Sequence, residues 1–146
     1  MHKLLLIIAF LLGTSLMADT IHWAKDYQTG LTQATKQHKP VLLIVSSTKC
    51  KYCLLLDKTT LQDAKVVKAL NDNFIPIRAW VDKGDYVPMA IRQNTPGLPG
   101  IWFLYANGDP MYQPLLGYIK TKNFLDALGI IKTEFDKNEK QNGNKK

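Results

Sequence analysis

Apolar residues recur along this chain first at helical and then at extended spacing, and the two patterns alternate over most of its length. Trp23, Tyr27, Leu31 and Ala34 share one side of a 3.6-residue period, so Trp23 to His38 predicts an amphipathic helix, which Lys39-Pro40 ends. Val41-Leu42-Leu43-Ile44-Val45 follows as a continuous aliphatic run. A strand covered on both faces has this pattern, which places it in the middle of a sheet flanked by helices. Ser46-Ser47-Thr48-Lys49 predicts a polar turn, and a helix starts at Cys50 and runs to Asp57. Thr59-Thr60 interrupts that helix, and Asp63 to Leu70 resumes it with Val66, Val67 and Leu70 apolar.

Phe74 to Val81 alternates well enough for a second strand, Asp82 to Asp85 is a turn, and Val87 to Gln93 is a short helix. Thr95-Pro96-Gly97-Leu98-Pro99-Gly100 is a cluster of breakers before a third strand, Ile101 to Tyr105. Asn107-Gly108 predicts a hairpin turn into a strand from Met111 to Leu116. Phe124, Leu125, Leu128, Ile131 and Phe135 mark a closing amphipathic helix. Elements in this order predict an α/β fold with a mixed central sheet flanked by helices. Trp80, Trp102 and Phe103 are expected in its core. No internal repeat is visible.

The two ends depart from this alternation. Met1-His2-Lys3 is a short basic start, Leu4 to Leu12 is unbroken apolar sequence, and Gly13 to Ala18 supplies small residues. These are the three regions of a secretory signal peptide. The stretch from Leu4 to Ala18 falls short of the roughly 20 residues that span a bilayer. The expected organisation is therefore a signal peptide over 1–18, one domain over 19–136, and a basic tail over 137–146. That tail, KNEKQNGNKK, has no apolar residue with which to offset its ordering entropy and is expected to be disordered.

The formal net charge is +7. Its lysines and arginines are scattered rather than striped and accompany no nucleic-acid motif, so the charge reads as a solvated surface, and no nucleic-acid partner is expected.

The chain has two cysteines, Cys50 and Cys53, separated by two residues at the junction of the buried strand and the following helix. A C-x-x-C there points to thiol–disulfide exchange. Cys50 falls near a helix N-terminus, where free amides and the helix dipole favour an anion, and Lys49 and Lys51 add positive charge on either side. All of these favour the thiolate, which is the species that attacks a disulfide. Cys53 lies one turn later, within reach of Cys50, and is the candidate resolving thiol. Two other readings compete. As a structural bridge, so small a loop contributes only about 2 kcal/mol in the chain-entropy model. As half of a metal site, the pair needs two further ligands, and His22 and His38 form no paired metal motif. No metal or cofactor is expected.

The run Lys39-Pro40-Val41-Leu42-Leu43-Ile44 leading into Cys50–Cys53, followed by Leu98-Pro99-Gly100-Ile101-Trp102-Phe103-Leu104 and Asn107-Gly108, resembles the exported, thioredoxin-related members of the thioredoxin-like family. The resemblance covers about Trp23 to Phe135. It implies that Pro99 is cis and packs against the active cysteines. It also implies that Leu98 offers backbone groups to an extended substrate, in effect a short β-augmentation. Three departures stand out. A buried acid usual six positions before the first cysteine is Ile44 here, the aromatic usual just before that cysteine is Lys49, and Lys51-Tyr52 replaces Gly-Pro between the cysteines. The intervening pair tunes the reduction potential of this fold.

These readings together predict a periplasmic thiol–disulfide oxidoreductase acting on exported protein thiols or disulfides, recycled by a membrane or periplasmic redox partner. Two alternatives are a client-binding module without turnover and a dedicated reductant for one secreted partner, such as an apocytochrome c.

Overall fold

The computed structural model describes residues 18–143. The expected signal peptide therefore lies, except for Ala18, outside the described residues.

Helix α1, Tyr27–Gln37, starts later than its apolar pattern predicts. The segment before it is held elsewhere: the Ala24 N–H donates to the Pro76 carbonyl at 2.8 Å. Asp26 then caps the helix, accepting from the Thr29 N–H at 2.7 Å, and so sets the start. His38 closes it in the left-handed conformation. Gly30 lies where a Cβ would collide with the Ile77 side chain, so a glycine there lets the helix sit close on the sheet.

Strand β1, Val41–Ser46, is buried along its whole length. It pairs in parallel with β2, Ile75–Trp80, and antiparallel with β3, Gly100–Leu104. With β4, Leu115–Leu116, the sheet order is β2-β1-β3-β4. The central position explains the unbroken aliphatic run. Leu42 and Ile44 pack on one face with Val66, Val67 and Leu70, while Val41, Leu43 and Val45 pack on the other with Tyr27 and Ala34. Each such side chain is worth about 1.5–3 kcal/mol when buried, so a polar residue on either face would be costly.

Helix α2, Lys51–Lys58, ends at Thr59. A short 3-10 turn, Thr60–Gln62, leads to α3, Ala64–Asn73, which Asp63 caps by accepting from Lys65 and Val66 N–H groups. Thr60 is buried because its hydroxyl donates to the Ile119 carbonyl at 2.6 Å. A second 3-10 turn, Val81–Lys83, precedes the short helix α4, Met89–Gln93. The element order is that of the predicted α/β fold.

Three further expectations need correction. The hairpin turn forms around Asn107-Gly108, but the strand expected from Met111 to Leu116 pairs as a ladder only at Leu115–Leu116. Pro110 bridges Leu104 and the Met111 N–H reaches the Phe103 carbonyl at 2.9 Å, but Pro114, with no N–H to donate, separates that contact from the short ladder at Leu115. Trp102 and Phe103 are buried as expected, whereas Trp80 is only half-buried and lies beside Arg78 and Lys83. Finally, α5, Thr121–Gly143, continues past Phe135, so 137–143, expected to lack order, is helical. Lys137, Glu139, Lys140 and Gln141 favour a helix there, and Glu139 reaches His38 at 3.5 Å, which gives it a tertiary anchor without apolar burial. Among the described residues no helix is long and apolar enough to cross a membrane.

Candidate functional site

Where β1 ends, the chain turns outward through Ser47, Thr48 and Lys49 and re-enters as α2. Local bonds set that turn: the Cys50 N–H donates to the Ser47 carbonyl and the Lys49 N–H to Ser47 Oγ, both at 3.2 Å. The turn is also tied to the end of β2. The Thr48 N–H donates to both Asp82 carboxylate oxygens, at 3.1 and 3.2 Å, and the Thr48 hydroxyl donates to Asp82 as well. The Thr48 side-chain bond, aided by the backbone bonds, holds the Asp82 carboxyl below its ordinary range.

Cys50 occupies the N-cap of α2, and its Sγ accepts the Cys53 N–H at 3.2 Å. A side-chain acceptor at the N-cap meeting the third amide of the helix is the usual way to satisfy an orphan donor. When the acceptor is sulfur, the same amide and the helix dipole favour the thiolate over the thiol. Cys50 and Cys53 are joined in a disulfide with their Cα atoms 5.2 Å apart. Cys53 is fully buried and Cys50 half-exposed, so an approaching sulfur reaches Cys50.

Lys49 and Lys51, the residues expected to favour the thiolate, are exposed on either side of Cys50. The Leu98–Pro99 bond is cis. Gly100 pairs with Val45, so Pro99 falls across from the end of β1, where the turn to Cys50 begins. The Pro99 carbonyl accepts the Gly117 N–H at 2.9 Å, whereas the Leu98 backbone has no hydrogen-bond partner among the described residues. The structure thus brings Lys49, Cys50, Lys51, Cys53 and the Leu98-Pro99 segment to one end of the sheet. His22 and His38 are exposed, lie against Asp19 and Glu139, and take no part. Among the described residues no group of side chains is placed to hold a metal ion.

Two features escaped the sequence reading. Asp82 stood out only as an acid in a turn. Arg78, on β2 beside Ile44 in register, meets Asp57 in a two-pronged pair at 2.7 and 2.9 Å. Its guanidinium also lies 4.4 Å from the Trp23 ring centre and 4.9 Å from that of Trp80. Trp23, Asp57 and Arg78 line a cleft of about 400 Å³ near the end of α2 away from Cys50. A guanidinium spent on one carboxylate and two aromatic faces is already partnered, so this cleft is no rival to the cysteine site.

Comparison with known proteins agrees with this geometry. Anterior gradient protein 2 of Xenopus tropicalis is 26% identical over 132 residues, covering 80% of this chain and 76% of that protein. A thioredoxin from Thermus thermophilus superposes with a TM-score of 0.63 at 24% identity, over 79% of this chain and 88% of the other. The reduced C-terminal domain of Neisseria meningitidis DsbD gives 0.54 at 25% identity, over 70% and 90%. The model of the thioredoxin-like domain matches residues 27–131. A match of that extent places the chain in the thioredoxin-like family, and the Cys50–Cys53 pair at the head of α2 makes it a thiol–disulfide oxidoreductase.

Proposed function

We propose that the protein exchanges disulfides with exported proteins in the periplasm, with Cys50 as the reacting sulfur and Cys53 as the resolving one. The observation that carries the assignment of roles is the contrast in access: Cys50 is half-exposed and accepts a helix amide, while Cys53 is fully buried beneath it. In the oxidising direction a client thiolate attacks Cys50 Sγ, and the Cys50–Cys53 bond breaks with its electron pair leaving on Cys53. A second client thiolate then attacks the client sulfur of the mixed disulfide, and Cys50 departs as a thiolate. The client loses two electrons, the pair gains them, and a membrane or periplasmic redox partner removes them again. Running the steps backwards reduces a client disulfide.

In this reading Lys49 and Lys51 favour the Cys50 thiolate, and Leu98 beside Pro99 lends its free backbone groups to an extended client. The periplasmic setting is supported by the signal-peptide pattern over 1–18. The domain over 19–136 is the working part.

Trapping in cells tests the proposal. Cys53→Ser keeps the attack and removes the resolution, so it accumulates mixed disulfides with exported proteins, and the chain recovered from the periplasm begins at Asp19. Cys50→Ser traps few. Equal trapping by both variants overturns the assignment of roles, and trapping by neither favours binding without turnover.

A further inference from the structure

On α2 the outward face and the buried face are cleanly divided. Cys53 and Leu56 point inward, and Lys51, Leu54, Leu55 and Lys58, at the spacing that shares one side of a helix, are all exposed. Leu54 and Leu55 keep 38% and 39% of their surface in solvent, and Tyr52 keeps 55%. Two leucines between two lysines thus form a ridge that starts beside Cys50.

No carboxylate answers those lysines. Among the described residues none of Lys49, Lys51 and Lys58 takes part in an ion pair. The first turn of α2 contains no acid. Of the nearby acids, Asp57 is neutralised by Arg78, while Asp82 bonds the Thr48 turn and keeps its charge without pairing with any of the three lysines. Three unpaired lysines against the single carboxylate of Asp82 leave a net positive potential along the ridge from Cys50 to Lys58. Its complement is a negatively charged chain with an apolar side chain, presented together with a cysteine.

We propose that this face of α2 is a docking ridge that selects client polypeptides carrying carboxylates and an apolar residue close to the reacting cysteine. The inference rests on the exchange reading above and specifies its substrate class. Lys58 lies about 12 Å along the helix from Cys50 at 1.5 Å per residue. An extended client rises about 3.3 Å per residue, so the carboxylate that meets Lys58 sits three or four residues from the client cysteine. Opposite charges at this range accelerate encounter, and salt screens them.

The test uses the pre-reduced full chain and three peptide disulfides that differ only three and four residues from the cysteine, with Glu, Gln or Lys there. Cys50 attacks the peptide disulfide and Cys53 displaces the second peptide thiol, so one bond is reduced for each protein disulfide formed. At low salt the Glu peptide reacts about tenfold faster than the Lys peptide, and at about 0.5 M NaCl the gap closes to within about twofold. Each rate is taken relative to the Gln peptide, which cancels any change in Cys50 reactivity. Lys58→Glu then lowers the Glu ratio and raises the Lys ratio. Leu55→Ser slows a peptide with Leu beside its Glu more than one with Ser there. A gap below about twofold at low salt, or ratios unmoved by Lys58→Glu, overturns the ridge while exchange with the Gln peptide keeps the function standing. Failure to reduce any of the peptides removes the function and the ridge with it.

Discussion

At the start of α2, Lys49 and Lys51 stand in solvent beside Cys50 with no carboxylate to meet them, whereas near its end Asp57 turns to the sheet and grips Arg78 with both oxygens. The Arg78 side chain retains only 10% exposure and the Asp57 side chain 25%. One helix thus presents free charge on its outward face, from Lys51 to Lys58, and spent charge where Asp57 turns to the sheet. Free charge favours a thiolate and draws partners, because its field reaches solvent. Spent charge locks a helix to a strand, because either member left alone would be poorly solvated. The difference is one of partners and burial, since the residue types overlap.

The largest effect is expected where charge is buried. Asp57→Asn strands the Arg78 guanidinium and costs about 2–3 kcal/mol, toward the buried end of the range for broken pairs. Urea unfolding measures it, and Asp57→Leu with Arg78→Met together restores much of the loss. A cost below about 1 kcal/mol would make the pair no different from a surface one and dissolve the comparison.

Next comes Ile44→Asp. Ile44 is fully buried on β1, and its register partner on β2 is Arg78, whose Nε is buried without a hydrogen-bond partner. A carboxylate there resides in an apolar setting and destabilises the fold by about 2 kcal/mol, with Arg78 limiting the damage. The resemblance makes this the position of the acid that takes the resolving thiol's proton, so stopped-flow release of a mixed disulfide near neutral pH accelerates about tenfold or more. A parent that already releases as fast means that another group serves as the base.

Lys49→Glu probes the open end of the helix. Reversing an exposed charge beside Cys50 raises the pKa of the reduced thiol by about half a unit to one unit, read from alkylation rate against pH. Stability stays within about 0.5 kcal/mol of the parent, as expected for an exposed site. A large loss of stability with no change in thiol titration would reverse the roles assigned to the two ends.

The smallest effect concerns Asp82, whose exposed carboxylate holds the turn at Thr48. Its folded pKa lies below the ordinary 3.8, so its contribution to stability is fully present above that pH and is lost as the pH falls through the depressed value. The urea midpoint of Asp82→Asn therefore lies below that of the parent at neutral pH, and the two converge in strong acid. A difference that persists there assigns the effect to shape rather than charge.

The α/β order, the central strand and the cysteine pair at its C-terminal end were all legible in the sequence. Each rests on a pattern a few residues long: the unbroken run of Val41 to Val45, the helical spacing around α3 and α5, and the two-residue gap between Cys50 and Cys53. The start of α1 and the length of β4 were misread because bonds to other parts of the chain decide them. The Ala24 N–H goes to Pro76, and after the Met111 bond to Phe103 the chain meets Pro114, which has no donor for the sheet.

By itself, then, the sequence determined which residues carry the chemistry and which strand presents them, because short-range periodicity and breaker residues specify elements without reference to the rest of the chain. Only the tertiary structure decided which charges are free. Asp57 meets Arg78 across 21 positions and is neutralised there, while Asp82 meets Thr48 across 34 and is held on the turn without pairing with a lysine. No local pattern encodes such pairings. They exist because folding brings the end of β2 against α2 and the turn before it, where each buried or bonded group must find a partner.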